Sequence, residues 1–298
     1  MTTLESGAPP VDAAAPPALL TPRTLDEALR MLAGGDAVPV GGGVAHALRR
    51  HDRRPPAAAR LVSVAGLPGL ADVTVHADHV TVGAGVRLDA LAADARLARL
   101  WPVVTDAARS VATGRIRRLV TLGGNIAARD ADHDPPVALT AVGATLAVRH
   151  ADGTRTLALS DLGPLRPGEL IEHVRLPLPT ARTGSAYEKF LVRGVWEYAC
   201  VNVAAVVALD GDGTVDRLAL AVGSVAGGPV AVDLTGLTGA RPDRRLVEEA
   251  ADRAAAGTTP YSDVKGSAAY KTRMIAEFAR RALTTAIHRA ETAEGEDR

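Results

Sequence analysis

The chain has 298 residues, and its 34 basic and 34 acidic side chains cancel at neutral pH. Because no net field would attract nucleic acid or an anionic membrane surface, we expect neither class of partner. A single cysteine, Cys200, excludes an intramolecular disulfide and an iron–sulfur cluster, which needs about four thiolates, or two with two histidines.

The N-terminal residues 1–18 are rich in alanine and proline, with neither a basic n-region nor an apolar h-region. We expect a flexible tail there and a cytoplasmic protein. No apolar run approaches the ~20 residues that a membrane-spanning helix needs, so we expect no insertion into a membrane.

A capped helix is predicted to open the ordered part of the chain. Thr24 and Glu27 have the spacing of a capping box, an apolar stripe follows, and Gly34–Gly35 end the helix. The segments "AVPV", "ARLVSV" and "HVTVGAGVRL" then predict three short strands. This first part is therefore expected to be a small α+β unit.

The rest of the chain alternates between helical and strand patterns. "LDALAADARLARLWPVV" predicts a helix up to Pro102, and "AARSVATGRIRR" a second helical or irregular segment. Asp152–Gly153 predict a hairpin turn, and Pro177–Gly184 have the composition of a linker. Beyond it we expect a long strand pair turning at Asp210–Gly213, and then two helices. One face of the last helix is expected to pack on the sheet: Tyr270, Met274, Phe278 and Ala282.

Two glycine clusters stand out: "VPVGGGVAH" at Val38–His46 and "TLGGNIA" at Thr121–Ala127. Each alone is typical of a turn. Together they can present free backbone N–H groups to a phosphate, because glycine has no Cβ to hold the main chain away. The first cluster does not complete a dinucleotide fingerprint, since His46 stands where G-x-G-x-x-G needs its third glycine, and "GAGVRL" at Gly83–Leu88 fails likewise by ending in leucine. The chain also has no P-loop sequence.

Four segments, in order along the chain, carry a family resemblance: "VPVGGGVAHALRR", "RRLVTLGGNIAARDADHDPPVALTAVGATL", "GSAYEKFLVRGVWEYACVNVAAVVALDG" and "LALAVGSVAGGPV". Over about residues 20–290 the chain resembles the FAD-binding medium subunit of the molybdenum hydroxylases, which include xanthine dehydrogenase and aerobic carbon monoxide dehydrogenase. The resemblance implies an α+β chain, with an FAD-binding fold of the vanillyl-alcohol-oxidase (PCMH-like) type followed by a smaller domain of a three-stranded sheet with helices.

The same resemblance implies domain bounds. The FAD-binding domain would cover residues 19–180, in subdomains of about 19–75 and 76–180. The C-terminal flavoprotein domain would cover residues 185–290, and residues 291–298 would fray.

By position in the resemblance, exposed main-chain amides of the two glycine loops would grip the diphosphate of one FAD. Asp134 matches an acidic residue that hydrogen-bonds the ribose or adenine side, and Ile171 an apolar residue of the adenine pocket. Lys189 matches a lysine whose charge would stabilise the reduced flavin, and Tyr198 a residue that lies against the isoalloxazine. The loop residues implied are Val40, Gly41, Gly42, Gly43, Val44, Thr121, Leu122, Gly123, Gly124 and Asn125. Thr121 would add a hydroxyl donor and Asn125 a carboxamide.

Some positions depart from the family pattern. Gly43 and Val44 lack the hydroxyl and carboxylate side chains usual in the first loop, so phosphate contact there would come from the backbone alone. Ala131 replaces a usual proline and Glu197 a commoner aspartate. We expect these changes to lower the affinity for FAD without removing it.

The acidic segment "RDADHD" alternates Asp130, Asp132 and Asp134, which could gather oxygen ligands for a divalent ion. A solvated acidic loop is the commoner outcome of such a composition, so we expect no metal site. His76 and His79 lie three apart in a predicted strand, which would send them to opposite faces at the surface.

Other side chains have ordinary interpretations. Cys200 is expected to pack as a small hydrophobe, and His46 to lie near the first loop without a role. We expect three arginines beside the second loop to face solvent or a subunit interface: Arg115, Arg117 and Arg118.

The function implied is an oxidoreductase subunit that passes electrons through FAD to NAD+, a quinone or oxygen, with no side chain acting as acid or base. An iron–sulfur subunit and a large molybdopterin subunit would accompany it. Two alternatives stay open: a stand-alone flavin oxidoreductase of a biosynthetic pathway, and a scaffold subunit that has lost FAD. The sequence names neither the substrate of the complex nor the electron acceptor.

Overall fold

The computed structural model describes residues 17–52, 58–194 and 196–293. Its first unit is a parallel three-stranded sheet in the order β1-β3-β2. The elements are β1 (Ala18–Leu20), α1 (Leu25–Leu32), β2 (Ala37–Val40), α2 (Val44–His51) and β3 (Arg60–Ser63). Of the predicted tail 1–18, residues 1–16 lie outside the described part, whereas Ala18 belongs to β1.

Helix α1 begins at the predicted cap. The Thr24 hydroxyl accepts the amide of Glu27 at 3.1 Å, and the Glu27 carboxylate accepts the amide of Arg23 at 2.8 Å. Gly35 follows the helix at a φ of +75°, a value that glycine adopts without strain. The buried face of α1 packs into a small core with Val62 and other apolar side chains.

The second unit is an antiparallel five-stranded sheet in the order β4-β5-β8-β6-β7. Its strands are β4 (Val73–Val75), β5 (His79–Gly83), β6 (Thr145–His150), β7 (Gly153–Ala158) and β8 (Leu170–Pro177). Between β5 and β6 lie α3 (Leu88–Ala93), α4 (Ala95–Leu100), α5 (Pro102–Ser110), α6 (Gly114–Arg117), α7 (Leu122–Ala127) and α8 (Asp134–Val142), and a 3₁₀ turn (Leu159–Asp161) follows β7. The predicted hairpin is confirmed, since β6 and β7 pair His150 with Gly153.

The single helix predicted up to Pro102 is wrong, because this stretch forms α3, α4 and the start of α5. Asp94 caps α4 by accepting the amides of Arg96 and Leu97 at 2.9 and 3.1 Å. Pro102 opens α5, where its missing N–H is not needed. Trp101, between the two helices, is fully buried and donates its indole N–H to the carbonyl of Pro177 at 2.8 Å.

The third unit is an antiparallel four-stranded sheet in the order β12-β11-β10-β9. Its elements are β9 (Thr183–Phe190), β10 (Val201–Leu209), β11 (Val215–Gly223), β12 (Val230–Ala231), α9 (Arg244–Ala256) and α10 (Ala268–Thr292). Three long strands agree with the expectation, and β12 adds a two-residue edge. The predicted linker is shorter than Pro177–Gly184, because β8 includes Pro177 and β9 begins at Thr183.

Strand β10 is buried along its whole length, which explains why all of its residues except Asn202 are apolar. Ala204 and Val206 point into the core around α5 and α8, whereas Val203 and Ala205 point into the core under α10. Of the predicted face of α10, Phe278 and Ala282 belong to this second core and Met274 packs against it. Tyr270 lies outside it, with its ring edge-on to that of Phe190 at 6.1 Å. Helix α8 thus lies between the five-stranded and four-stranded sheets.

Candidate functional site

The first glycine loop links β2 to α2. Gly43 is the N-cap of α2 in a left-handed conformation, with φ +73°, and no side chain caps the helix. Within the described residues, the amides of Gly41, Gly42, Gly43 and Val44 have no hydrogen-bond acceptor. Unpaired amides at a helix N-terminus form an anion-binding arrangement.

The second glycine loop is the first turn of α7. Thr121 is its N-cap, and the four following amides all have acceptors within the chain. Those of Leu122 and Gly123 donate to Val86 and Ala84 at 2.8 Å, and those of Gly124 and Asn125 donate to the Thr121 hydroxyl at 3.3 Å and the Thr121 carbonyl at 2.9 Å. The expectation that amides of both loops are free is therefore wrong for this one, because the loop folds as a capped helix.

The two loops nevertheless touch each other. A Cβ placed on Gly42 would overlap the carbonyl oxygen of Leu119, and one on Gly41 would overlap the Thr121 hydroxyl. A Cβ on Gly123 would meet Ala84. These glycines thus let three backbone segments approach more closely than any other residue permits.

The second loop carries two buried polar side chains, and the Thr121 hydroxyl lies beside Gly41 of the first loop. The Thr121 hydroxyl accepts the Gly124 amide and keeps its own hydrogen to donate. Asn125 is 5% exposed, and its Oδ1 is a buried acceptor without a partner in the described part of the chain. Because an unsatisfied buried acceptor costs about 1–3 kcal/mol, such atoms usually mark a place for a ligand or a water molecule.

Asp134 lies in a buried polar network rather than on a solvated loop. Its carboxylate accepts the Lys189 ammonium at 2.8 Å, the Tyr187 hydroxyl at 2.5 Å and the Asn202 amide at 3.3 Å. The side chains of Asp134 and Lys189 are 5% and 8% exposed. Burial, and then the Asp134 charge, raise the pKa of Tyr187 well above its usual value.

This ion pair joins two residues whose expected contacts with FAD stay predictions. The resemblance placed Asp134 and Lys189 at different parts of FAD, whereas the structure joins them. Because Asp134 already neutralises the Lys189 ammonium, the pair adds little net charge to the site. It links α8 to the end of β9.

Tyr198 lies on the segment between β9 and β10, 46% exposed, with its ring centroid 6.4 Å from that of His133. His133 in turn hydrogen-bonds the carbonyl of Asn125 at 2.9 Å. Partial burial, and then nearby aspartates, raise the pKa of Tyr198. Through His133, the exposed ring is connected to the second glycine loop.

The structure does not bring every predicted side chain to this junction. Ile171 is 5% exposed and packs inside the main core, as Leu122 does. Val40 is also buried, at 9% exposed. For these residues the structure shows packing, and a contact with adenine or diphosphate stays a prediction.

Two other expectations are wrong, one about a histidine pair and one about an arginine. His76 and His79 lie on either side of the β4–β5 turn with their rings stacked at 4.3 Å, not on opposite faces. Arg117 donates to the carbonyls of Val111 and Ala112 at 2.8 and 2.9 Å, so it serves the local fold rather than solvent or an interface.

Cys200 is fully buried, as predicted, and burial raises the pKa of its thiol. Burial also lowers the pKa of His46, which disfavours a charged imidazole beside the first loop. Within the described ranges, no three His, Cys, Asp or Glu side chains come together where they could hold a metal ion. None of the helices described is both long and apolar enough to cross a membrane.

Sequence comparison with protein families gives two matches. Residues 14–179 match the FAD binding domain in molybdopterin dehydrogenase, and residues 185–286 match the CO dehydrogenase flavoprotein C-terminal domain. The chain belongs to the FAD-binding medium-subunit family of the molybdenum hydroxylases. FAD is therefore its cofactor, and its fold is the PCMH-like FAD-binding fold with the family's C-terminal domain.

Individual relatives agree with this membership. The chain is 30% identical over 280 residues to the carbon monoxide dehydrogenase medium chain of Afipia carboxidovorans, covering 90% of this chain and 96% of the relative. It is 31% identical over 281 residues to subunit alpha of the 6-hydroxypseudooxynicotine dehydrogenase complex of Paenarthrobacter nicotinovorans, covering 90% and 93%. These family members are subunits of oxidoreductase complexes, which implies partner subunits.

A solved structure gives the same answer for the fold. The cyanide-inactivated form of Cu,Mo-CO dehydrogenase superposes with a TM-score of 0.86 at 29% identity, covering 92% of this chain and 98% of that chain. The fold that the four ordered motifs implied is therefore confirmed.

The residues at the loop junction fit an FAD molecule. Free amides of the first loop and the Thr121 hydroxyl suit a diphosphate, and the unpaired Asn125 Oδ1 suits a ligand hydroxyl or N–H. The exposed ring of Tyr198 offers an aromatic surface for a flavin. Sequence reasoning missed Tyr187 and Asn202, although an asparagine inside the apolar run "VNVAAVVAL" was a usable signal.

Proposed function

We propose that this chain is the electron-relay subunit of a molybdenum hydroxylase-type dehydrogenase complex. Electrons would arrive from iron–sulfur centres on a partner subunit, and a third, molybdopterin-bearing subunit would oxidise the substrate. The single cysteine supports this division of labour, because the chain cannot itself ligate such clusters. Bound FAD supplies the carrier that exchanges electrons between one-electron and two-electron partners.

The observation that carries the proposal is the contact between the two glycine loops. Gly42 packs directly on the Leu119 backbone and Gly41 lies beside the Thr121 hydroxyl, which supports a shared site for this hydroxyl and the free amides of residues 41–44. We propose that these groups bind the FAD diphosphate, the amides as main-chain donors and Thr121 through its hydroxyl hydrogen. Contacts of the other predicted loop residues with FAD stay predictions.

Around the flavin, the chain's own residues would position rather than react. Asn125 would satisfy its buried Oδ1 with a donor of FAD, and Tyr198 would cover one face of the ring system. Lys189 and Asp134 would hold α8 against β9 behind them. No acid–base side chain is required, since electrons and not substrate atoms pass through this subunit. The cytoplasmic location stays a prediction.

Native mass spectrometry of the tagged chain, purified from its own host, tests the proposal. We expect one FAD per chain and co-purifying subunits, with iron and molybdenum found by elemental analysis of the same sample. FAD without partners would indicate the stand-alone oxidoreductase instead. Partners without FAD would indicate the scaffold alternative, and either result would overturn the relay.

A further inference from the structure

The segment that carries Tyr198 is tied at both ends to the acidic segment 130–134. At its start, Lys189 of β9 bonds Asp134 at 2.8 Å. At its end, just before β10, the carbonyl of Ala199 accepts the Lys265 ammonium at 2.8 Å, and Lys265 also bonds Asp132 at 2.8 Å. Both anchors therefore run from the C-terminal unit to the loop that precedes α8.

A second donor reaches the same carbonyl. The Ser224 hydroxyl donates to the carbonyl of Ala199 at 3.3 Å, and the Ser224 amide donates to the carbonyl of Ala131 at 2.9 Å. Ser224 has a φ of +56°, which is uncommon for a residue with a Cβ. Two buried or half-buried donors thus converge on the backbone carbonyl of Ala199, the residue that follows Tyr198.

The Lys265–Asp132 pair is well enclosed, with side chains 16% and 18% exposed. Asp132 is further held by the Tyr261 hydroxyl at 2.8 Å. An ammonium bonded to both a carboxylate and a carbonyl makes charge-assisted bonds, which are stronger than neutral ones. The Ala199 carbonyl is therefore held by a charged donor as well as by the Ser224 hydroxyl.

The Tyr198 ring is only partly covered by the rest of the chain. It is 46% exposed, and its neighbour Trp196 is 72% exposed. The Lys265 nitrogen lies 6.0 Å from the Tyr198 ring centroid. Besides the His133 ring at 6.4 Å, the location of the Tyr198 ring depends on the backbone that Lys265 holds at Ala199.

We propose that Lys265, held by Asp132, is a positioning residue for Tyr198 and sets where the phenol ring meets the flavin. The inference rests on the proposed function, which places Tyr198 against the isoalloxazine. It adds a residue from outside the segments that carry the family resemblance. Lys265 would act on the flavin through Tyr198 and not by direct contact.

The test compares Lys265→Met with three other variants. Lys265→Arg keeps a cation that can bond both oxygens. Arg289→Met is the matched control, because Arg289 also donates to a backbone carbonyl, that of Ser185 in β9, at 2.6 Å. Asp132→Asn serves as a second variant, since it removes the charge that holds Lys265 but keeps an acceptor for Tyr261.

Amide hydrogen exchange of the FAD-free chain is measured first, over residues 197–201. We expect exchange there to be about tenfold faster in Lys265→Met and Asp132→Asn, as loss of a charge-assisted bond implies, and unchanged in Lys265→Arg and Arg289→Met. Unchanged exchange in Lys265→Met overturns the proposal, and so does equal acceleration by Arg289→Met.

Fluorescence of bound FAD is measured second, with Tyr198→Leu as the reference for a missing ring. We expect Lys265→Met to move the flavin fluorescence at least halfway from wild type toward that reference, and Lys265→Arg to restore it. Faster exchange with wild-type fluorescence would refute the positioning role. If the wild-type chain bound no FAD, the proposed function would fail, and with it the role of Lys265 toward the flavin. The exchange measurement would still show whether Lys265 holds the backbone at Ala199.

Discussion

Gly42→Ala tests the junction of the two glycine loops. A methyl group at this position overlaps the backbone carbonyl of Leu119, so the two segments must move apart by about 2 Å to reach ordinary contact. A hydrogen bond to a charged group contributes about 1.5–3 kcal/mol, and a shift of this size would break at least two amide contacts to a diphosphate. The dissociation constant for FAD should therefore rise by roughly a hundredfold or more.

Equilibrium titration of the FAD-free protein, followed by calorimetry or flavin absorbance, measures this change. Gly163→Ala is the matched control, because its added Cβ has nothing within 4 Å and its φ is not positive. A melting curve of each FAD-free variant separates loss of binding from loss of fold. If Gly42→Ala folds and binds FAD as tightly as wild type, the diphosphate does not lie at this junction.

Three further outcomes follow from buried groups. Asn125→Leu should weaken FAD binding about tenfold in titration, and tighter binding would contradict this. The melting temperature of the FAD-free chain should stay equal or rise, because the substitution removes an unsatisfied buried acceptor. Lys189→Met should lower the free energy of unfolding in denaturant titration by about 3–5 kcal/mol, since Asp134 stays buried without its partner, and a neutral result would refute it. The hydrogen bond from Arg155 lowers the pKa of Glu169 below 4.5. The pair therefore stabilises the fold above pH 4.5, and this stabilisation is lost as the pH falls through the lowered pKa of Glu169 in the folded chain. The melting temperature of Glu169→Gln should consequently fall less below pH 4.5 than that of wild type, and parallel curves would argue against it.

Local patterns predicted the elements whose signals are short in range. The capping pair Thr24 and Glu27, the hairpin at Asp152–Gly153 and the turn at Asp210–Gly213 depend on neighbours a few residues away, and the structure contains them. The order of the glycine motifs predicted the family. Its fold then followed from the resemblance and not from periodicity.

Long-range pairing was beyond the sequence. Nothing local shows that the second loop would satisfy its amides with Ala84 and Val86, because those acceptors lie on a distant segment. The aspartates of "RDADHD" likewise resemble a solvated loop until their partners are known. Lys189 and Lys265 reach them from more than 50 and more than 130 residues away, so composition could not distinguish a surface loop from a buried ion-pair network.

The most direct measurement is a crystal structure of this chain with FAD bound. The diphosphate should lie within hydrogen-bond distance of the amides of Gly41–Val44 and of the Thr121 hydroxyl, with the flavin beside Tyr198. A diphosphate bound anywhere else, or glycine loops that separate when FAD binds, would contradict the proposed site.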